Sequence, residues 1–89
     1  MRGHWEAEGD VIVDIEPLKA FLRDALQRSG HEGLLRCKGV VRTQSGWQLL
    51  QWTEDGLALE SFAPQETSRL EWIATGQSES DRLRRLLTG

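Results

Sequence analysis

Residues 33–42 read Gly-Leu-Leu-Arg-Cys-Lys-Gly-Val-Val-Arg, and this stretch gives the strongest indication of the fold. Its apolar and β-branched residues predict a strand over residues 34–43. Side chains along a strand alternate between the two faces of the sheet. The alternation predicts a small, apolar inward set and a largely cationic outward set. The inward set is Leu35, Cys37, Gly39 and Val41, and the outward set is Arg36, Lys38, Val40 and Arg42.

The segment before this strand predicts a leader, a short strand and a helix. Residues 1–9 are polar and contain glycine, which is typical of a leader or linker. The β-branched run at residues 11–15 predicts a strand. Residues 17–29 place apolar side chains at helical spacing, with Pro17 in the first turn and Ser29-Gly30 at the end.

The segment after Gly33 predicts four strands and a final helix. The strands cover residues 34–43, 47–53, 57–62 and 69–75, and short turns, including Asp55-Gly56, connect the first three. A leucine stripe predicts a helix from residue 78. The fold class is therefore α+β with two layers. Its mainly antiparallel sheet has four to five strands, two amphipathic helices lie on one face, and the order is strand, helix, four strands, helix.

Composition limits the class of protein. A chain of 89 residues builds one domain, which we place at residues 10–89. The net charge of −3 argues against a dedicated nucleic-acid binder. No apolar run is long enough to cross a membrane and no signal peptide begins the sequence. The single cysteine makes no internal disulfide, so we expect a cytoplasmic protein.

The sequence contains only weak candidates for catalytic and metal-binding motifs. The sequence contains no phosphate loop, dinucleotide fingerprint or nucleophile elbow. Cys37 would be a nucleophile only with a histidine beside it, and His31 is close in sequence. A lone cysteine on the inward face is, however, more typical of a core residue. His4, His31 and Cys37 are a possible metal set, although their spacing matches no zinc pattern. We therefore predict no catalytic, cofactor-binding or metal-binding residue in this chain.

The cationic ladder, which we define as Arg36, Lys38 and Arg42, is the candidate interaction surface. Two interpretations stay open: the cations keep an exposed face soluble, or they contact an acidic partner. Single-stranded RNA would require aromatic side chains between the cations. Trp47 and Trp52 lie on opposite faces of the next strand, so one of them at most joins the ladder. RNA binding is therefore the less favoured alternative.

Several segments in order resemble one protein family. Leu-Leu-Arg-Cys-Lys-Gly-Val-Val at residues 34–41 is similar to the Arg-x-Lys-Gly strand of the C-terminal domain of CobW-type GTPases, which are related to cobalamin-synthesis proteins and nitrile hydratase activators. The helix at residues 17–29 precedes it, as in that family. The hydrophobic-Gln-hydrophobic step at residues 49–52, the Ser-Arg-Leu-x-Trp-Ile strand at 68–76 and the leucine-rich helix at 82–87 also match.

The resemblance implies a non-catalytic accessory domain. The family's GTP, magnesium and metal sites belong to an N-terminal GTPase domain whose motifs are absent from this sequence. The implied partners are the GTPase domain of the same parent chain and a metalloprotein client that receives zinc or cobalt, or a client in cobalamin or metalloenzyme maturation. No cofactor is implied for this domain itself. The alternative is a stand-alone regulatory or dimerising module that uses a tryptophan-rich sheet face.

Overall fold

The chain folds into an antiparallel sheet of five strands with two helices. The structure is a computed structural model. It describes residues 1–27 and 33–88, except for the side chains of residues 26 and 27. The elements are β1 (Arg2–Glu8), α1 (Ile15–Gln27), β2 (Leu34–Thr43), β3 (Gly46–Thr53), β4 (Gly56–Ser61), β5 (Thr67–Ala74) and α2 (Gln77–Thr88). In space the strands follow the order β1-β5-β2-β3-β4. The predicted α+β fold and its order of elements are confirmed.

The first strand lies earlier in the chain than the sequence predicts. Residues 2–8 form β1 and pair with β5 from Arg2↔Ile73 to Glu8↔Thr67, so the prediction of a leader over residues 1–9 is wrong for this segment. Residues 11–14, of which the first three are β-branched, connect β1 to α1 without forming a strand. β1 forms because Trp5 on its inner side is buried against the core, and this burial outweighs the polar composition of the segment.

A β-bulge at the start of β2 changes which leucine is buried. Leu34 pairs with Ala74 and Arg36 pairs with Ile73, so Leu35 has no opposite residue on β5. Leu34 is 6% exposed and Leu35 is 54% exposed. The prediction that Leu35 points inward is therefore wrong. From Arg36 onward the alternation is as predicted.

Both helices pack on one face of the sheet, where two tryptophans hold them. Trp52 of β3 donates its indole Nε1–H to the backbone oxygen of Leu22 in α1 at 2.7 Å. Trp72 of β5 donates its indole Nε1–H to Ser80 Oγ in α2 at 2.9 Å. Both indoles are buried, so these bonds satisfy polar groups that would otherwise be costly inside the core. The predicted arrangement of two helices on one face is confirmed.

The ends of α1 agree with the sequence only in part. The carboxylate of Asp14 accepts a hydrogen bond from the backbone N–H of Glu16 at 3.1 Å, which satisfies a free donor at the start of the helix. Pro17 lies in the first turn, as predicted. The predicted stop at Ser29-Gly30 lies outside the described residues.

Candidate interaction surface

The surface opposite the helices, which we call the open face, contains the outward side chains of β2. The core side chains Cys37 and Val41 point to the helices and are fully buried. Arg36 and Lys38 alternate with them and are exposed on the open face. Within the described residues their side chains form no ion pair or hydrogen bond. Two members of the cationic ladder are thus accessible to a partner.

Arg42, the third member of the ladder, is bound within the domain. Its Nη1 donates to the backbone oxygen of Gly9 at 2.9 Å, and its backbone N–H donates to Ser68 Oγ at 3.0 Å. Its backbone oxygen accepts from the N–H of Val13 at 2.8 Å. The half-buried Arg42 therefore holds the connection between β1 and α1 against the sheet, and this contact leaves Arg36 and Lys38 as the freer cations.

The strand beside the ladder adds negative charge that β2 alone does not reveal. Lys38 lies opposite Glu71 of β5 on one side and Gln51 of β3 on the other. Arg69 of β5 lies between Val40 and the acidic Glu6 of β1. Opposite charges on directly paired positions attract each other weakly when they are exposed. The open face is therefore mixed in charge across β1, β5 and β2.

An apolar group occupies one end of the open face. Val40 lies opposite Leu49 of β3, and Trp47 of β3 lies opposite Phe62, the residue after β4, whose N–H donates to the Trp47 oxygen at 3.0 Å. Phe62 is 44% exposed, and the other three are half-buried. We call these four residues the aromatic strip. Trp47 also lies opposite Arg42 and Trp52 is buried in the core, so the prediction that one of the two tryptophans at most joins the ladder is confirmed.

Cys37 lies too deep for surface chemistry. It pairs with Trp52 on one side and Trp72 on the other and is fully buried. Burial raises the pKa of its thiol from 9.0 to about 12, because a thiolate would lose its hydration. At neutral pH the thiol therefore stays protonated, which is unfavourable for a nucleophile or a metal ligand.

The described residues contain no group of three or more His, Cys, Asp and Glu side chains placed to hold a metal ion. His4 is exposed on β1, with its Nε2 3.7 Å from Glu6 Oε1. His31, the other half of the possible nucleophile pair, lies outside the described residues. Neither described helix is long and apolar enough to cross a membrane.

One family model and two solved structures are similar to this chain. The family model described as "Cobalamin synthesis protein cobW C-terminal domain" matches residues 3–89. Two crystal structures share the fold, the Zn(II)-bound YjiA GTPase from E. coli and a Zn(II)-bound triple mutant of YjiA GTPase. For both, the TM-score is 0.68, the sequence identity is 21%, and the match covers 99% of this chain and 29% of the solved chain. Among curated proteins none matches the sequence.

Proposed function

Because the chain belongs to the family of cobalamin synthesis protein CobW C-terminal domains, we propose that it is a non-catalytic accessory domain of a cytoplasmic, CobW-like GTPase. The parent protein would deliver a metal such as zinc or cobalt, or help to mature cobalamin or a metalloenzyme. The chain spans 29% of the length of the two solved structures, both of which are Zn(II)-bound GTPases. In this proposal the remaining length holds the nucleotide and metal sites.

The chemistry of the chain supports an accessory role. The sequence has no phosphate loop, which GTP binding in this class of enzyme requires. The lone cysteine is buried with a raised pKa, so it is a poor ligand for zinc or cobalt. What the described residues do offer is an uncovered sheet face. The domain is therefore better suited to binding a protein than to chemistry.

The observation that carries the proposal is that both helices cover the same face of the sheet. The open face presents the aromatic strip at one end, with Phe62 44% exposed, and the exposed cations Arg36 and Lys38 in its middle. Protein interfaces commonly combine partly exposed aromatic residues with a polar surround. We propose that this face docks onto the GTPase domain, or onto a metalloprotein client, with the cations orienting the approach.

The test is a binding titration between this chain and the separately produced GTPase domain of the parent protein. Replacing two exposed cations, as Arg36→Ser with Lys38→Ser, should weaken binding by about 2- to 30-fold and reduce its dependence on salt, because exposed charge pairs contribute about 0.2–1 kcal/mol each. The matched control is Arg23→Ser with Arg82→Ser, which removes the same charge from exposed positions on the two helices. Equal losses for both pairs, or no loss, would contradict docking through the open face.

A stand-alone binding module is the second candidate, because the aromatic strip would also suit a second copy of the chain. The mass of the natural polypeptide separates the two possibilities. A mass several times the 10.1 kDa of this chain supports the accessory domain. A mass of 10.1 kDa, together with dimers in analytical ultracentrifugation that Trp47→Ala abolishes, supports the dimerising module instead.

A further inference from the structure

The two edges of the sheet differ in how well they are covered. An edge strand presents backbone N–H and C=O groups that have no partner within the sheet. On the edge strand β1, the backbone oxygen of His4 accepts a hydrogen bond from Arg84 Nη1 of α2 at 2.7 Å. The same guanidinium lies 5.3 Å from the centre of the Trp72 ring. Arg84 therefore closes the middle of this edge.

The other edge, β4, has a regular row of outward backbone groups. Thr53 pairs with Gly56 across the hairpin, and the register continues without a shift through Ala58 and Glu60. The N–H of Phe62 donates a hydrogen bond to the Trp47 oxygen of β3. In an antiparallel pair every second residue bonds the neighbouring strand, so the residues between these bonded positions direct their N–H and C=O groups away from β3. Those residues are Leu57, Leu59 and Ser61. No described strand pairs with that side of β4.

β4 lacks three features that often prevent pairing at an edge. Proteins protect edges with proline, lysine or a bulge. The strand reads Gly-Leu-Ala-Leu-Glu-Ser, so it contains neither proline nor lysine, and its register with β3 shows no bulge. Leu57 and Leu59 are half-buried beside α1 and pack against the core. Among the described residues the edge is therefore regular in register, apolar on its helix side and not paired with another strand.

The charge beside this edge indicates the kind of strand. Residues 53–66 contain acidic side chains and no lysine, arginine or histidine. The acidic residues are Glu54, Asp55, Glu60 and Glu66. Two copies of β4 paired through their edges would bring these acidic segments together, which like-charge repulsion disfavours. A segment with basic residues would instead be attracted to the edge.

We propose that the free edge of β4 binds an extended, basic segment of a partner protein by strand addition. The added strand would lie about 4.8 Å beyond β4 and bond the backbone groups of Leu57, Leu59 and Ser61. Alternate basic side chains would lie beside Glu60 on the open face, and the apolar side chains between them would lie beside Leu57 and Leu59. The proposal goes beyond the accessory function and does not depend on it.

The probe is the peptide acetyl-Lys-Val-Lys-Val-Lys-Val-Lys-amide, titrated into the 89-residue chain while amide hydrogen exchange is followed residue by residue. We expect the exchange of the Leu57, Leu59 and Ser61 amides to slow by about tenfold or more at saturation, because each gains a hydrogen-bond acceptor. Two control peptides each retain only one of the two proposed determinants, the pairing backbone or the positive charge. One replaces lysine with glutamate, and the other keeps the charge but carries N-methylated valines that cannot pair. Equal protection by either control, or no protection, overturns the proposal.

Two variants test the same edge from the protein side. Ser61→Pro removes an outward N–H without breaking a bond to β3, and should weaken binding of the lysine peptide by about tenfold relative to Ser61→Ala. Glu60→Lys leaves the backbone unchanged, and should weaken the lysine peptide and strengthen the glutamate peptide. If Ser61→Pro fails to fold, the peptide preference of Glu60→Lys is the test of the proposal. An unchanged preference in Glu60→Lys overturns the proposed choice of a basic partner.

Discussion

Gly39, the glycine of the Arg-x-Lys-Gly stretch, is a position where the backbone of the neighbouring strand leaves no room for a side chain. A Cβ added there would lie 2.0 Å from the backbone oxygen of Arg69 and 2.8 Å from the Cα of Leu70. Ordinary contact begins at 3.4 Å, so the two strands would have to separate by about 1.4 Å. Both obstacles are backbone atoms in the centre of the sheet, so no side-chain rotation relieves the clash.

The cost of Gly39→Ala follows from that separation. Overpacking costs about 1–3 kcal/mol, and losing one or two bonds of the β2–β5 ladder adds about 1 kcal/mol each. We expect the free energy of unfolding to fall by about 2–5 kcal/mol, a large part of the roughly 4–13 kcal/mol typical of a domain this size. The melting temperature should fall by roughly 10–30 °C.

Urea denaturation followed by tryptophan fluorescence measures this loss, because Trp5, Trp52 and Trp72 are all buried. The matched control is Gly76→Ala. At Gly76 an added Cβ meets nothing within 4 Å, and the backbone is outside the left-handed region. The control should change stability by less than about 1 kcal/mol. If Gly39→Ala lowers the free energy of unfolding by no more than Gly76→Ala does, β2 and β5 do not approach each other as closely as described.

Two further predictions concern buried positions of β2. The pKa of the Cys37 thiol is about 12 in the folded state and 9.0 in the solvated, unfolded state. As the pH rises, the thiol therefore ionises first in the unfolded state, and the free energy of unfolding should fall between about pH 9 and pH 12. Urea curves should show this fall in the parent protein and a smaller one in Cys37→Ala; the same pH dependence in both would contradict it. Leu34→Ala should lower the free energy of unfolding by about 2–5 kcal/mol, and Leu35→Ala should lower it by less than about 0.5 kcal/mol. Thermal melts measure both values, and equal losses of stability would contradict the bulge.

Local pattern was sufficient for most of the fold. The helix α1 follows from its apolar periodicity. The hairpins of β2, β3 and β4 follow from their turn residues, because those pairings join strands that are consecutive in sequence. β1 did not follow, since its pairing partners on β5 lie 59 to 71 residues away along the chain. Its inward residues Gly3, Trp5 and Ala7 do alternate, but the stronger β-propensity of residues 11–15 concealed that signal. Propensity is a weak guide when long-range pairing decides.

For the candidate surface, the sequence predicted the outward residues of β2 but not the neighbouring residues that other strands place beside them. Alternation places Arg36 and Lys38 on the open face correctly. The opposing charge of Glu71 depends on β5 lying between β1 and β2, which no local pattern reveals. The tie between Arg42 and Gly9 depends on the path of the connection after β1. Both facts arise from strand order, so the sequence identified the residues but not their surroundings.

The position of β5 has a consequence for synthesis on the ribosome. β5 is the last strand to be made, yet it lies between β1 and β2 and bonds both. Until residue 74 has emerged, β1 has no neighbour, and β2 lacks its partner on one side. Before that point the nascent sheet can form only the β2-β3-β4 hairpins, so Trp5 and Leu34 stay exposed to water until β5 has been made. A domain with this strand order is therefore most exposed to aggregation just before β5 emerges, when most of its core residues have been made but cannot yet pack.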